Sequence, residues 1–104
     1  MISLVIGSIA PLQSKAGETA FTVAGKLAHK AWDAGEGFVK EFRLPSGRRA
    51  DAVNFGARVV KELKPDNARA VRAGLKQVEQ YAKELSEMTA EAWKGIVETY
   101  RRKP

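Results

Sequence analysis

Residues 46–64 read SGRRADAVNFGARVVKELK. Apolar and polar residues alternate on both sides of Gly56-Ala57, and this is the pattern of two β-strands joined by a turn. Glycine at the first central position is typical of a type II′ hairpin turn. We therefore predict a β-hairpin with strands over residues 48–55 and 58–64, from which the rest of the fold can be placed.

The predicted hairpin puts two carboxylates opposite each other. A two-residue turn pairs Val53 with Val60 and Asp51 with Glu62, and paired residues have Cβ atoms roughly 4.5–5.5 Å apart on one face. Lys64 shares that face because side chains alternate. Two carboxylates this close need a cation between them, or one of them stays protonated. Carboxylate oxygens suit Mg²⁺, and a neighbouring lysine can hold the attacking water in phosphodiester hydrolysis.

The alternative is a surface hairpin that carries a charge cluster without chemistry. The spacing alone favours this alternative, since Asp, Glu and Lys are common surface residues. An odd loop length or a bulge would also move Glu62 to the face opposite Asp51. Residues further along the chain shift the balance towards a functional site.

Composition limits the classes of protein to which the chain can belong. Its 104 residues fit one domain, and 44% hydrophobic with 29% charged residues indicate a globular chain. The sequence has no cysteine, which excludes disulfides and thiolate metal sites, and its single histidine excludes a His-rich zinc site. A net charge of +6 favours an anionic partner such as nucleic acid or an acidic protein.

Residues 1–17 are predicted to be a linker or N-terminal extension, and residues 18–104 the folded domain. The apolar run over residues 1–10 lacks a basic leader and is too short to span a membrane. We expect it to be the tail of something larger or a short strand against the core, and we expect no membrane contact.

The patterns outside the hairpin predict the order helix, three strands, helix, strand. The first helix covers residues 18–32, the first strand residues 38–44, and the second helix starts after Asn67. Gly95 and β-branched neighbours favour a last strand over residues 94–100. A strand reached across a helix usually joins the sheet in parallel, so the prediction is an α/β fold with a mixed sheet.

The second helix carries three sets of side chains. The predicted core stripe comprises Val71, Leu75, Val78, Ala82 and Leu85. Gln77 and Tyr81 lie one turn apart beside it, and a glutamine next to the core needs a partner. Basic residues roughly opposite form a solvated face or contact phosphates, and the predicted nucleic-acid contacts are Arg49, Arg69, Arg72 and Lys76.

Asp51, the triplet Glu62-Leu63-Lys64, and Gln77 with Tyr81 together resemble the motifs of the PD-(D/E)XK nuclease superfamily, which has the restriction-endonuclease fold. The sequences of residues 40–53, 62–67 and 76–81 resemble those of restriction-endonuclease-fold toxin domains, which occur at the C-termini of bacterial polymorphic toxins. The resemblance covers roughly residues 26–100. Ala50 stands where the superfamily usually has proline.

The resemblance implies a Mg²⁺ site, with Mn²⁺ as a substitute. Its ligands would be Asp51, Glu62 and the backbone carbonyl of Leu63. The superfamily often adds a carboxylate from the first helix. Glu18 can fill that role, or it can be a charge that the positive end of the helix favours.

The resemblance also assigns roles to three other residues. Lys64 would orient the water, while Gln77 and Tyr81 would shape the site or contact the phosphate. The role of His29 stays open, because a helical histidine near an aromatic residue is more often a packing or surface residue than a catalytic one.

The implied function is a magnesium-dependent endonuclease that hydrolyses DNA, as the toxic C-terminal domain of a secreted bacterial protein. It would act in the cytoplasm of a target cell, and its partner would be an acidic immunity protein. One alternative is a cytoplasmic resolvase or repair nuclease of the same fold. Another is a basic nucleic-acid-binding module without activity, and RNA is an alternative substrate.

Overall fold

The computed structural model describes residues 3–5 and 20–101 of the chain. The elements follow the predicted order of helix, three strands, helix and strand, and one further short strand precedes them. They are β1 (Ser3–Val5), α1 (Ala20–Ala31), β2 (Val39–Arg43), β3 (Arg49–Asn54), β4 (Val59–Pro65), α2 (Ala68–Thr89) and β5 (Lys94–Arg101).

The strands form one mixed sheet in the order β1-β5-β4-β3-β2. Strands β2, β3 and β4 pair antiparallel, whereas β4, β5 and β1 pair parallel. The parallel step from β4 to β5 crosses α2, which confirms the predicted α/β architecture. The boundary at residue 17 between extension and domain stays a prediction, although Ser3–Val5 lies beside β5.

The predicted hairpin register is confirmed, but the predicted turn type is wrong. Val53 lies opposite Val60 as expected. Four residues rather than two lie outside the ladder, and the left-handed residue is Arg58, with φ 57°, instead of Gly56. The Ala57 N–H donates to the Asn54 side chain at 2.9 Å. Two extra loop residues leave the alternation of side chains unchanged, so the register survives.

Strand β2 changes face at its centre. Glu41 has φ 56° and lies between the cross-strand pairs Lys40–Ala52 and Phe42–Ala50. The Lys40 ammonium reaches α1, whereas Phe42 packs in the cluster under α2. A regular strand over the predicted residues 38–44 would keep Phe38, Lys40, Phe42 and Leu44 on one face, and that expectation is wrong because a left-handed residue rotates the strand.

The two helices cover opposite faces of the sheet. The core under α1 comprises Ala28, Trp32, Ala34, Ala52, Leu63 and Tyr100. The core under α2 comprises Leu44, Ala50, Val53, Val60, Tyr81 and Leu85. Strand β4 lies in the middle of the sheet and contributes to both cores.

Helix α2 begins at its predicted cap, and its buried face is only partly the predicted one, because Val78 and Leu85 are buried as expected but Leu75 is not. The Asn67 side chain accepts the Ala70 N–H at 2.8 Å. Leu75, predicted to face the core, is 51% exposed. A Cβ on Gly95 would lie 2.7 Å from Val78 Cβ, so the helix packs directly on the β5 backbone. This close approach sets the rotation of α2, and the buried positions are Gly74, Val78, Tyr81 and Leu85.

A buried ion pair ties α1 to the sheet. Lys61 Nζ lies 3.0 Å from Glu98 Oε1 and also donates to the Ala34 carbonyl at 2.8 Å. Trp32 Nε1 donates to Glu98 Oε2 at 2.6 Å. Glu98 is only 4% exposed, so its charge depends on these two donors.

We expect Glu98→Ala to lower the free energy of unfolding by about 3 kcal/mol, because it leaves a buried ammonium and an indole N–H unpaired. Urea unfolding measures the loss. The matched control is Glu91→Ala, which removes an exposed pair with Arg58 and should cost less than about 1 kcal/mol. Equal losses in the two variants would contradict a structural role for the buried pair.

Candidate active site

The site lies where the backbone ladder between β3 and β4 stops. The last pair is Ala52–Lys61, and beyond it side chains bridge the two strands. The Asp51 N–H donates to Glu62 Oε2 at 2.9 Å, and the Leu63 N–H donates to Asp51 Oδ2 at 2.8 Å. The structure therefore brings the two carboxyl groups together in a gap of the sheet.

The pKa values of the two carboxyl groups shift in opposite directions. Burial, together with the adjacent Asp51 carboxylate, raises the pKa of Glu62 to about 8. Burial alone would raise the pKa of Asp51 as well, but hydrogen bonds with His29, the Glu62 carboxyl and the Leu63 N–H hold it below its usual range. At neutral pH the pair therefore keeps one proton unless a cation replaces it.

His29 on α1 contacts the pair directly. Its Nε2 lies 3.0 Å from Asp51 Oδ2, and its Nδ1 lies 2.8 Å from the Gly25 carbonyl oxygen. Both partners are acceptors, so both bonds form only when the ring is doubly protonated. The hydrogen bond to Asp51 is the main cause of the raised pKa of His29. This partner could not be found by local sequence pattern, since the contact joins residues 22 positions apart.

Lys64 approaches the pair from under α2. Its Cγ lies 2.9 Å from the place that a Cβ on Gly74 would take, so the lysine stem runs across the helix at that glycine. The positive charge of Lys64 acts to lower the pKa of Glu62. Within the part of the chain that the structure describes, no group accepts a hydrogen bond from this ammonium, which leaves it available to a ligand.

Gln77 and Tyr81 lie on the same helix face as Gly74. Gln77 Oε1 is buried and finds no hydrogen-bond donor among the described residues. Tyr81 is 7% exposed, and burial together with the charges of Glu62 and Asp51 raises its pKa. This helix face therefore carries a buried acceptor and a protonated hydroxyl, and the hydroxyl lies within the field of the carboxylate pair.

The remaining predicted site residues are spread more widely. Arg49 starts β3 and is exposed near Asp51. Arg69, Arg72 and Lys76 are exposed on the outer face of α2. Glu18 lies outside the described residues.

The donor set fits a divalent cation. The hydrogen bonds to backbone N–H groups and to His29 engage Asp51 Oδ2 and Glu62 Oε2, so these groups leave Oδ1 and Oε1 to the contact between the two carboxyl groups, where an ion could replace the shared proton. Two carboxylates with water suit Mg²⁺. Residues 20–101 hold no cluster of three or more His, Cys, Asp or Glu side chains arranged for a metal. A further protein ligand would be a backbone carbonyl such as that of Leu63, or a group outside the described residues.

The α/β sheet, with its carboxylates paired at an internal gap, has the architecture of restriction-endonuclease-fold nucleases. The family model described as restriction endonuclease fold toxin 9 matches residues 17–100, and the chain belongs to this family. It is a nuclease toxin domain, and its family implies a nucleic-acid substrate, delivery into target cells and often an immunity protein. No curated protein and no solved structure matches the chain.

Neither described helix combines the length and apolar character that crossing a membrane requires.

The pKa of Glu62 predicts a pH dependence of stability. Between its ordinary value of 4.5 and its folded value of about 8, the folded state binds more protons than the unfolded state. Stability must therefore fall as pH rises, and the raised pKa of His29 acts in the same direction. We expect the free energy of unfolding in EDTA to fall by at least about 1 kcal/mol from pH 5 to pH 8. Glu62→Gln should reduce this slope.

Urea unfolding at several pH values measures the slope. The exposed α2 variant Glu87→Gln is the control and should keep the wild-type slope. Mg²⁺ should stabilise the wild type more at pH 8 than at pH 5, because an ion binds the ionised pair. An unchanged slope in Glu62→Gln would show that Glu62 does not hold the extra proton.

Proposed function

We propose that the domain is a magnesium-dependent endonuclease that hydrolyses phosphodiester bonds in DNA, with Asp51 and Glu62 as its metal ligands. The observation that carries the proposal is the adjacency of these two carboxyl groups in a gap of the sheet, where Glu62 is buried and Asp51 is partly exposed. Burial and mutual repulsion leave them with a proton that a divalent cation can replace. The family adds that the domain is a nuclease toxin.

Asp51 Oδ1 and Glu62 Oε1 would hold the ion, together with the Leu63 carbonyl. When bound, Mg²⁺ supplies Lewis-acid polarisation of a phosphoryl oxygen and lowers the pKa of a coordinated water. His29 and the Leu63 N–H both engage Asp51 Oδ2. These bonds hold the carboxylate in one orientation, so His29 acts as a positioning residue.

Lys64, Gln77 and Tyr81 would act on the phosphate and the water. The Lys64 ammonium, which has no hydrogen-bond acceptor among the described residues, can stabilise the negative charge that develops at the phosphorus centre. The Gln77 side-chain oxygen, which has no donor among the described residues, would accept a hydrogen bond from the attacking water. The raised pKa of Tyr81 keeps its hydroxyl protonated, so that it donates to a phosphate oxygen.

The biological setting follows from the family and the charge. We propose that the domain is the C-terminal toxic part of a secreted bacterial polymorphic toxin and acts in the cytoplasm of the target cell. Its net charge of +6 complements nucleic acid and an acidic immunity protein. The exposed basic side chains that would add sequence-independent phosphate contacts are Arg49, Arg69, Arg72 and Lys76.

Asp51→Asn, Glu62→Gln and Lys64→Ala should each slow plasmid cleavage in Mg²⁺ by at least roughly a hundredfold, because each removes a charge that acts on the reaction. The amide variants keep an oxygen that can accept the backbone N–H groups, so the folded state should persist. Gel assays give the rates, and circular dichroism checks the fold. Glu79→Gln, on the exposed face of α2, is the control and should cleave normally.

Full activity of the wild type in EDTA would contradict metal dependence. Wild-type rates in either amide variant would exclude the carboxylate pair from the chemistry. A parallel assay on RNA identifies the substrate, since cleavage of RNA without cleavage of DNA would correct that part of the proposal.

Gly74→Ala should slow cleavage by at least roughly tenfold, because displacing a catalytic group by a fraction of an ångström is costly. The new Cβ would lie 2.9 Å from Lys64 Cγ and 3.2 Å from Val97 Cγ2. Alanine ordinarily stabilises a helix interior by about 1 kcal/mol over glycine, so helix content should not fall.

The double variant Gly74→Ala/Val97→Ala separates two causes of that loss. It relieves the contact with Val97 but leaves the contact with Lys64, so the rate should stay low. Single-turnover cleavage at saturating DNA measures it. Recovery of the rate in the double variant would instead point to a lifted helix, and a normal rate in Gly74→Ala would remove Lys64 positioning as a role for this glycine.

A further inference from the structure

An open cleft of about 830 Å³ lies between α1 and the paired strands β2 and β3. Asp51 and His29 line it, so the cleft gives solvent access to the carboxylate pair from the α1 side. Glu62 is 4% exposed and does not line it. A ligand in the cleft would therefore meet Asp51 first.

The charges around the cleft suit a polyanion. Lys30 enters from α1 and Arg49 from β3, and both are exposed. Among the side chains that line the cleft, the carboxylates are those of Glu41 and Asp51. A site with cations on two different walls can contact two phosphates of one backbone.

Lys40 removes an obstacle to anion binding. The carbonyls at the C-terminus of α1 point towards this region and carry the negative end of the helix dipole. The Lys40 ammonium compensates this negative end by donating hydrogen bonds to the carbonyls of His29, Lys30 and Trp32. These carbonyls are therefore hydrogen-bonded within the protein, and the positive charge of Lys40 offsets their negative potential towards a phosphate.

We propose that this cleft binds the sugar–phosphate backbone of a single nucleic-acid strand, with Lys30 and Arg49 contacting phosphates on either side of Asp51. Its volume lies in the range of sites that enclose one small-molecule-sized ligand, which corresponds to a few nucleotides rather than a duplex. The proposal rests on the proposed function for the place of the reaction, but strand binding can be measured without cleavage.

The position of the cleft predicts that the basic residues contribute unequally to strand affinity. Arg72 and Lys76 are exposed on α2, which covers the opposite face of the sheet from α1. They can contact only parts of a substrate that extend beyond the cleft. Lys30 and Arg49 should therefore contribute more to strand affinity than the α2 residues do.

The test measures binding of a fluorescein-labelled oligothymidylate 12-mer by anisotropy in EDTA, over a series of salt concentrations. Lys30→Gln/Arg49→Gln should weaken binding at least tenfold. It should lower the log–log salt slope by about 1.4, since each single-strand phosphate contact contributes about 0.7. Glu41→Gln should strengthen binding, because it removes a negative charge from the cleft.

Two double variants with the same change in charge serve as comparisons. Lys83→Gln/Lys94→Gln alters exposed residues away from the cleft and should stay within twofold of the wild type. Arg72→Gln/Lys76→Gln should lose less affinity than the cleft variant. A duplex of the same length should bind more weakly than the single strand.

The cleft proposal is overturned if the cleft variant loses no more affinity than the α2 variant, if the duplex binds more tightly than the single strand, or if the wild type binds neither. Cleavage assays in Mg²⁺ keep this result apart from the proposed function. A wild type that cleaves, with normal strand affinity in the cleft variant, rejects the cleft and leaves the nuclease intact. A wild type that binds the strand through Lys30 and Arg49 but does not cleave it supports the cleft and rejects the proposed nuclease function.

Discussion

Two hydrogen bonds hold β3 and β4 together where the backbone ladder between them stops. The Asp51 N–H is satisfied by the Glu62 carboxyl, and the Leu63 N–H is satisfied by the Asp51 carboxylate. Without them, two backbone donors in a buried sheet would lack partners, which folded proteins rarely tolerate. The same bonds force two acidic groups into one gap. The fold therefore depends on the same contacts that bring Asp51 and Glu62 together.

Glu98 and Glu62 are both buried, but their carboxyl groups have neighbours of opposite charge. Glu98 meets an ammonium at 3.0 Å and an indole N–H at 2.6 Å, so its charge is matched within the protein. Glu62 meets another carboxyl group, and its pKa rises to about 8. Burial is similar in the two cases, and the neighbours decide the outcome. The Glu98 carboxylate fixes α1 to the sheet, whereas the Glu62 carboxyl group is paired with another carboxyl group instead of a cation.

Much of this arrangement could be predicted from local pattern. Alternation and an even loop length set the register that pairs Val53 with Val60, so the wrong turn type left the predicted register unchanged. The rotation of α2 could not be predicted, because the exposure of Leu75 follows from how closely the helix approaches Gly95. The partner of His29 was equally out of reach, since that contact depends on where α1 packs. Contacts of this kind arise only when separate elements meet.

The left-handed Glu41 has a consequence for how the domain meets other proteins. In the sheet as described, β2 is an edge strand, and an exposed edge can pair with a strand of another molecule. A residue with φ 56° at its centre interrupts the regular row of donors and acceptors, and the strand carries the charged side chains of Lys40, Glu41 and Arg43. Irregular, charged edges resist intermolecular pairing. Such an edge protects the domain from aggregating with its own copies.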